Sequence, residues 1–154
     1  MKYIIGIDPG INGAIVTIRE DGELCEVKRM PETPKDIIDY LRNLIFWGSD
    51  TVCYLEDVGQ GMPGQSSSAT AKFARHNGHL EMALIAIGIK TIKVKPQKWE
   101  KSYSLGKSRD FSKTEWKRKL KEKAQQLFPE VLVTYVNADA LLIAEYGRHE
   151  EIGR

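Results

Sequence analysis

The chain opens Met1-Lys2-Tyr3-Ile4-Ile5-Gly6-Ile7-Asp8-Pro9-Gly10, and the reading of this stretch decides the fold. The apolar run over residues 3–7 ends on a carboxylate, Asp8, and breaks at once on Pro9-Gly10. A second apolar run, Ala14-Ile15-Val16-Thr17-Ile18, follows directly. The pattern predicts a strand, a short loop and a returning strand, with one acid held where the first strand ends. An acid beside a buried sheet is costly to leave unpaired, so Asp8 requires a partner or a metal. The plainer role open to it is to shape an Asp-Pro-Gly turn.

Further along, residues 24–28 predict a third strand, with Glu20-Asp21-Gly22-Glu23 as the hairpin turn. Thr33-Pro34 starts a helix, with Thr33 as N-cap and Asp36 in capping-box register. Its apolar face is Ile37, Ile38, Leu41, Leu44 and Ile45, and Gly48 ends it. Thr51-Val52-Cys53-Tyr54-Leu55 is a fourth strand that also runs into acids, Glu56-Asp57. A loop rich in Gly, Pro and Ser, from Gly59 to Ser68, leads to a long helix ending near Gly88. Residues 91–95 form a fifth strand closed by Pro96. Ser112-Lys113-Thr114-Glu115 is a capping box opening a helix with Trp116, Leu120, Ala124 and Leu127 on one face. A last helix begins near Asn137 and carries Asp139. Three antiparallel strands, then strands alternating with helices, predict an α/β fold: a mixed five-stranded sheet with helices on both faces. A single domain over 1–154 is expected, with a mobile polar tail from about residue 148.

The net charge of +2 says little, but its distribution is uneven. Residues 95–123 hold eleven Lys and Arg against four Asp and Glu, so the rest of the chain is net acidic. That asymmetry suits an acidic metal site beside a polyanion-binding surface. Cys25 and Cys53 lie in apolar strand-like runs and read as core thiols rather than a disulfide. There is no signal-peptide pattern and no apolar run long enough to span a bilayer, so a cytoplasmic location without membrane contact is expected. His76 and His79 show no zinc-ligand spacing.

Asp8 and Glu56 each end an apolar strand, the edge of an open α/β sheet where sites form. Asp139 opens the apolar run Ala140-Leu141-Leu142-Ile143-Ala144, either as a helix-start acid or facing the same crevice. Three converging carboxylates repel unless a hard cation such as Mg²⁺ or Mn²⁺ relieves them. Such ions, in a pair, activate water and stabilise a leaving oxygen in phosphodiester hydrolysis. Acidic site and basic segment thus point to the same substrate class, nucleic acid.

The ordered set of motifs resembles the RuvC-type Holliday junction resolvases of the RNase H-like superfamily, in their phage and prophage branch. The residues are Ile4-Ile5-Gly6-Ile7-Asp8-Pro9-Gly10, Glu56, Met62-Pro63-Gly64-Gln65-Ser66-Ser67, Phe73-Ala74-Arg75, Gly78 and Pro96-Gln97-Lys98-Trp99. They continue with Ser112-Lys113, Ala124-Gln125-Gln126-Leu127-Phe128-Pro129 and the run from Ala138 to Gly147. The resemblance implies an RNase H-like fold and a Mg²⁺-dependent endonuclease that resolves branched DNA in recombination and repair. Asp8, Glu56 and Asp139 would be the metal ligands, with Mn²⁺ able to substitute, and Lys113 a basic residue near the scissile phosphate. It also implies a homodimer on a two-fold four-way junction. The long helix after Glu56 would be the dimer element, through Phe73, Leu80, Leu84 and Ile87 or with some of these in the core. Junction binding with weak or lost catalysis, or a broader nuclease acting on RNA or flaps, are the alternatives.

Phosphate contacts are expected from Lys98, Lys101, Lys107, Arg109, Lys113, Lys117 and Arg118, and from Arg75 in the motif. Ser66 and Ser67 would offer hydroxyls and N–H groups to phosphate or cap the helix. Trp99, Tyr103 and Phe111 interleave with the bases, either to stack on nucleobases or to pack. Two departures from the family pattern stand out. The fourth acid, one helical turn before Asp139, is absent: Tyr135 and Val136 stand there, with Asn137 as N-cap or carbonyl donor. The aromatic shortly after the second acid is also missing, leaving Met62 as the available wedge.

Overall fold

The computed structural model of the chain describes residues 1–45, 50–59 and 64–153. One sheet runs in the order β3-β2-β1-β4-β5, from β1 (Lys2–Asp8), β2 (Ala14–Arg19), β3 (Leu24–Arg29), β4 (Asp50–Glu56) and β5 (Lys90–Val94). The first three strands are antiparallel neighbours, while β1–β4 and β4–β5 pair in parallel. The connections explain the change. A tight turn closed by Gly22 N–H to Arg19 O joins β2 to β3, whereas parallel pairs need crossovers. These are α1 (Pro34–Leu44), before β4, and α2 (Ser67–Ile87), between β4 and β5.

Strand alternation sorts the core into two layers. Ile5, Ile7, Cys53 and Leu55 point to the face covered by Ile37 and Leu41 of α1 and Leu80 and Leu84 of α2. Ile4, Val52 and Tyr54 point to the opposite face. It is covered by α3 (Pro96–Lys101), α4 (Lys113–Leu127) and α5 (Ala138–Ile152). Helices therefore cover both faces, as expected from sequence. Asp8 and Glu56 share the parity of the α5 face.

Helix α5 lies on β1 at backbone contact. A Cβ on Gly6 would stand 2.4 Å from Ala144 N and 2.6 Å from Ala140 O. Ala140, Ala144 and Gly147 form the helix face laid on the sheet, and Gly147 leaves room for the Tyr54 ring. This approach carries the first turn of α5, and with it Asp139, to the carboxyl end of β1.

Several local expectations hold and several change. Thr33 Oγ1 accepts from Asp36 N–H at 3.1 Å, and Ser112 with Glu115 closes the full capping box of α4. α1 ends at Leu44 with Ile45 exposed, and Gly48 lies outside the described residues. Pro96 begins α3 rather than merely closing β5, since its fixed φ suits the first helical position. On α4 the stripe Trp116, Leu120, Ala124 continues by four residues to buried Phe128, which leaves Leu127 exposed. Asn137 turns back into the preceding loop, its Oδ1 accepting from Thr134 N–H at 2.8 Å. Residues 148–152 are not a loose tail but the end of α5. Arg148 bonds Glu145, and Glu151 accepts from Tyr54 Oη–H at 2.8 Å and Lys2 Nζ at 2.9 Å. Cys53 is buried as expected, while Cys25, on the edge strand, is exposed; both are free. No helix among the described residues is long and apolar enough to cross a membrane.

Candidate active site

Three elements deliver acids to one edge of the sheet. β1 and β4 pair Ile7 with Leu55, so Asp8 and Glu56 are the next residues on neighbouring parallel strands, whose backbones run about 4.8 Å apart. Asp139 enters from the first turn of α5. Asp8 and Asp139 line a crevice of about 470 Å³ with the 9–13 loop, Phe73, Lys117, Tyr135, Val136 and Ala138. The loop is tight: a Cβ on Gly13 would fall 1.9 Å from Asp8 O, so only glycine closes it.

Glu56 is buried, and its Oε2 accepts the Trp99 Nε1–H at 2.7 Å. Trp99 is itself fully buried and belongs to α3, which follows the neighbouring strand β5. One indole donor therefore fixes one carboxylate oxygen of Glu56.

Electrostatics tie the acids together. Burial, then the charges of Asp139 and Glu56, hold Asp8 well above the usual carboxylate range, with Lys117 opposing. Burial and Asp139 push Glu56 up to about 7, although the Trp99 hydrogen bond favours its charged form. Burial raises Asp139 to about 6 against the pull of Lys117. Carboxylates in such a set resist joint ionisation until a cation arrives. Among the described residues no three His, Cys, Asp or Glu side chains already enclose an ion site, so an ion would draw them together. The donors are all oxygen, which fits a hard cation such as Mg²⁺ or Mn²⁺ rather than a thiophilic one.

A fourth acid joins this set from outside the sequence reading. Glu100, beside Trp99 on α3, is half-buried and raises the pKa of Glu56, while Asp139 raises that of Glu100. Reading residues 96–101 as a helix would have placed it next to a buried tryptophan.

The cation in the crevice is Lys117. Lys113, expected near the scissile phosphate, is the first residue of α4, one turn earlier and exposed. Lys98, Lys107, Arg109 and Arg118 are exposed, Arg118 lying 3.9 Å from Glu122. Arg75 is exposed on α2. Ser66 caps α2 by accepting from Ala69 N–H at 3.1 Å, and Ser67 is its first residue.

The interleaved aromatics pack rather than present free faces. Trp99 is buried, Tyr103 Oη–H donates to Leu142 O, and Phe111 stacks on Trp116 beneath Lys119. The aromatics at the crevice are instead Phe73, lying against Gly10, and Tyr135, capped by Lys121 Nζ at 4.7 Å. Met62 lies outside the described residues. The apolar residues named for a dimer divide differently. Leu80 and Leu84 are core, Ile87 packs against the core, and the large exposed apolar side chains of α2 are Met82 and Ile85.

No protein-family model matches the chain, and no curated protein matches it in sequence. Solved structures do match in three dimensions. RuvC of T. thermophilus in complex with a Holliday junction substrate superposes with TM-score 0.69 at 16% identity, over 99% of this chain and 97% of that one. A second structure of Thermus thermophilus RuvC matches with TM-score 0.62 at 17% identity, over 98% and 96%. The chain thus has the RuvC-type, RNase H-like fold along its whole length.

Proposed function

We propose that this protein is a divalent-metal-dependent endonuclease that resolves Holliday junctions or related branched DNA. The observation that carries the reading is the convergence of Asp8, Glu56 and Asp139 from β1, β4 and α5, each with a raised pKa. The site sits in a fold shared over its full length with a resolvase solved on junction DNA.

In this reading Asp8, Glu56 and Asp139 hold Mg²⁺, or Mn²⁺ in its place. The ion, when bound, supplies Lewis-acid stabilisation of charge on the phosphoryl oxygens. Trp99 keeps Glu56 oriented and favours its ionised form. Lys117, at the crevice, holds a phosphate oxygen, and Lys113 one turn earlier extends the contact along the strand. Exposed bases on α3 and α4 and Arg75 on α2 bind the backbone of the junction arms. A homodimer places two such sites on two-fold DNA. The exposed face of α2, with Ala74, Gly78, Met82 and Ile85 at helical spacing, is the surface we assign to it. The whole acts in the cytoplasm.

The test is substrate choice. Labelled four-way junctions should be cut symmetrically with Mg²⁺, and linear duplex should not. Preference for flaps or RNA-containing duplex would move the assignment to a broader nuclease. Junction binding in EDTA with no cutting on adding Mg²⁺ or Mn²⁺ would make it a binding protein.

A further inference from the structure

The crevice that holds Asp8 and Asp139 has exposed apolar side chains in its walls. Ile11, 80% exposed, comes from the loop after β1, and Tyr135, 57% exposed, from the loop before α5. The loop that carries Tyr135 is tied down by a dense set of hydrogen bonds. Gln125 of α4 donates through Nε2 to Phe128 O at 3.1 Å and to Val131 O at 2.8 Å. Its Oε1 accepts from Val133 N–H at 3.3 Å, and the Val133 side chain is buried in the core. Asn137 grips the loop from the other end, accepting from Thr134 N–H at 2.8 Å and donating to Leu132 O at 3.3 Å. Thr134 Oγ1 accepts from Val136 N–H at 3.2 Å, which closes a turn around Tyr135 itself. Fixing a loop costs conformational entropy, and here the aromatic ring it fixes stays largely in solvent. A rigid, exposed ring is a preorganised binding element.

The ring is also paired with positive charge. Lys121 Nζ stands 4.7 Å from its centroid, and Lys117, one turn earlier on α4, lines the same crevice. An aromatic face beside two ammonium groups suits a ligand that is both aromatic and anionic, as a nucleotide is. A base inside a duplex is covered on both faces by its neighbours. The ring can therefore meet only a base that is freed where the duplex is interrupted.

We infer that Tyr135 is a stacking platform for an unstacked nucleobase next to the scissile phosphate, and that it selects branched over linear DNA. This rests on the nuclease reading above and adds to it the residue that chooses the substrate. Lys117 and Lys121 hold the backbone beside that base, which raises affinity for any DNA without discriminating among shapes.

The experiment titrates the full chain in EDTA with a four-way junction and with a linear duplex of the same sequence, read by fluorescence anisotropy. Tyr135→Ala should weaken junction binding by about tenfold, the scale of one lost base stack, and leave duplex binding unchanged. Tyr135→Phe keeps the ring and should keep the junction affinity. Lys121→Gln should weaken junction and duplex alike and flatten the salt dependence, which Tyr135→Ala should leave as it is. Leu132→Ala, at an exposed residue of the same loop outside the crevice, should alter neither affinity. Melting curves confirm that each variant is folded. Wild-type junction affinity in folded Tyr135→Ala, or an equal loss on junction and duplex, would overturn the role of Tyr135 and leave the nuclease reading standing. A wild-type chain that binds junction no better than duplex would overturn both.

Discussion

The Trp99 indole N–H lies 2.7 Å from Glu56 Oε2, and that bond joins the two halves of the site. It connects the acid at the end of β4 to the helix that follows β5, so the position of α3 and the orientation of Glu56 are one property. Replacing Trp99 by Phe keeps most of the packing and deletes the donor. The variant should lose about 1–3 kcal/mol of stability in a denaturant titration. The hydrogen bond lowers the pKa of Glu56, so its loss raises that pKa further. The acid limb of the cleavage pH profile should therefore move to higher pH, and an unmoved limb would detach Trp99 from the chemistry.

Gly6→Ala tests the contact that brings α5 to the sheet. The new Cβ meets backbone atoms of Ala140 and Ala144, which cannot turn aside as a side chain can. Overpacking of this kind costs about 1–3 kcal/mol or more. The variant should unfold at lower denaturant, and any folded fraction should bind metal more weakly because Asp139 rides on α5. Wild-type stability would mean that helix and strand are not in backbone contact.

The pH dependence of the metal-free protein follows from the raised acids. Glu56 at about 7 and Asp139 at about 6 both sit above their ordinary values, so the folded chain holds these protons more tightly than the unfolded chain. Their contribution to stability is complete at low pH and is lost as pH rises through about 6 to 7. In EDTA the protein should lose stability from about pH 4, the unfolded carboxylate range, to about pH 7, and Glu56→Gln should lose less. Mg²⁺ binds the ionised acids, so it should raise the melting temperature strongly at about pH 8 and little at about pH 5. At a hundredfold excess over Kd the gain is about 2.7 kcal/mol. A melting temperature in EDTA that falls equally in Glu56→Gln and the wild type would contradict the assignment.

The α2 surface makes a separate prediction. Ile85→Asp puts a charge on an exposed apolar residue, so monomer stability should change by less than about 0.5 kcal/mol. If α2 forms the two-fold contact, sedimentation should show a shift from dimer to monomer, with paired cutting of junctions lost before single nicks. A variant that remains dimeric moves the interface elsewhere.

What could be read from the chain alone tracks how local the determinant is. The apolar run over residues 3–7, ended by Asp8, marked β1, and the Thr33 and Ser112 caps marked two helix starts, because each depends on neighbours close along the chain. The two strand-end acids were legible for the same reason. Glu100 was not: its relevance arises only when β5 docks beside β4 and delivers α3 to Glu56. Lys117 rather than Lys113 lines the crevice because the two share a face of α4 one turn apart, and only the packing of α4 against α5 decides which turn lies beside Asp139. The residues after 147 looked like a polar tail because the partners of Glu151, Lys2 and Tyr54, lie 149 and 97 residues away along the chain. Likewise Leu80 and Leu84 had the right spacing for a dimer face, but spacing alone does not say which side of α2 meets the sheet.

The most direct measurement uses a labelled four-way junction with the wild-type chain and Asp8→Asn, each with Mg²⁺ and with EDTA. Asn preserves the size of the side chain and removes the charge that draws the ion. The account predicts that Asp8→Asn binds the junction as the wild type does while its Mg²⁺-dependent cleavage falls by more than about 100-fold. Cleavage by Asp8→Asn at the wild-type rate, or cutting by the wild type in EDTA, would contradict it.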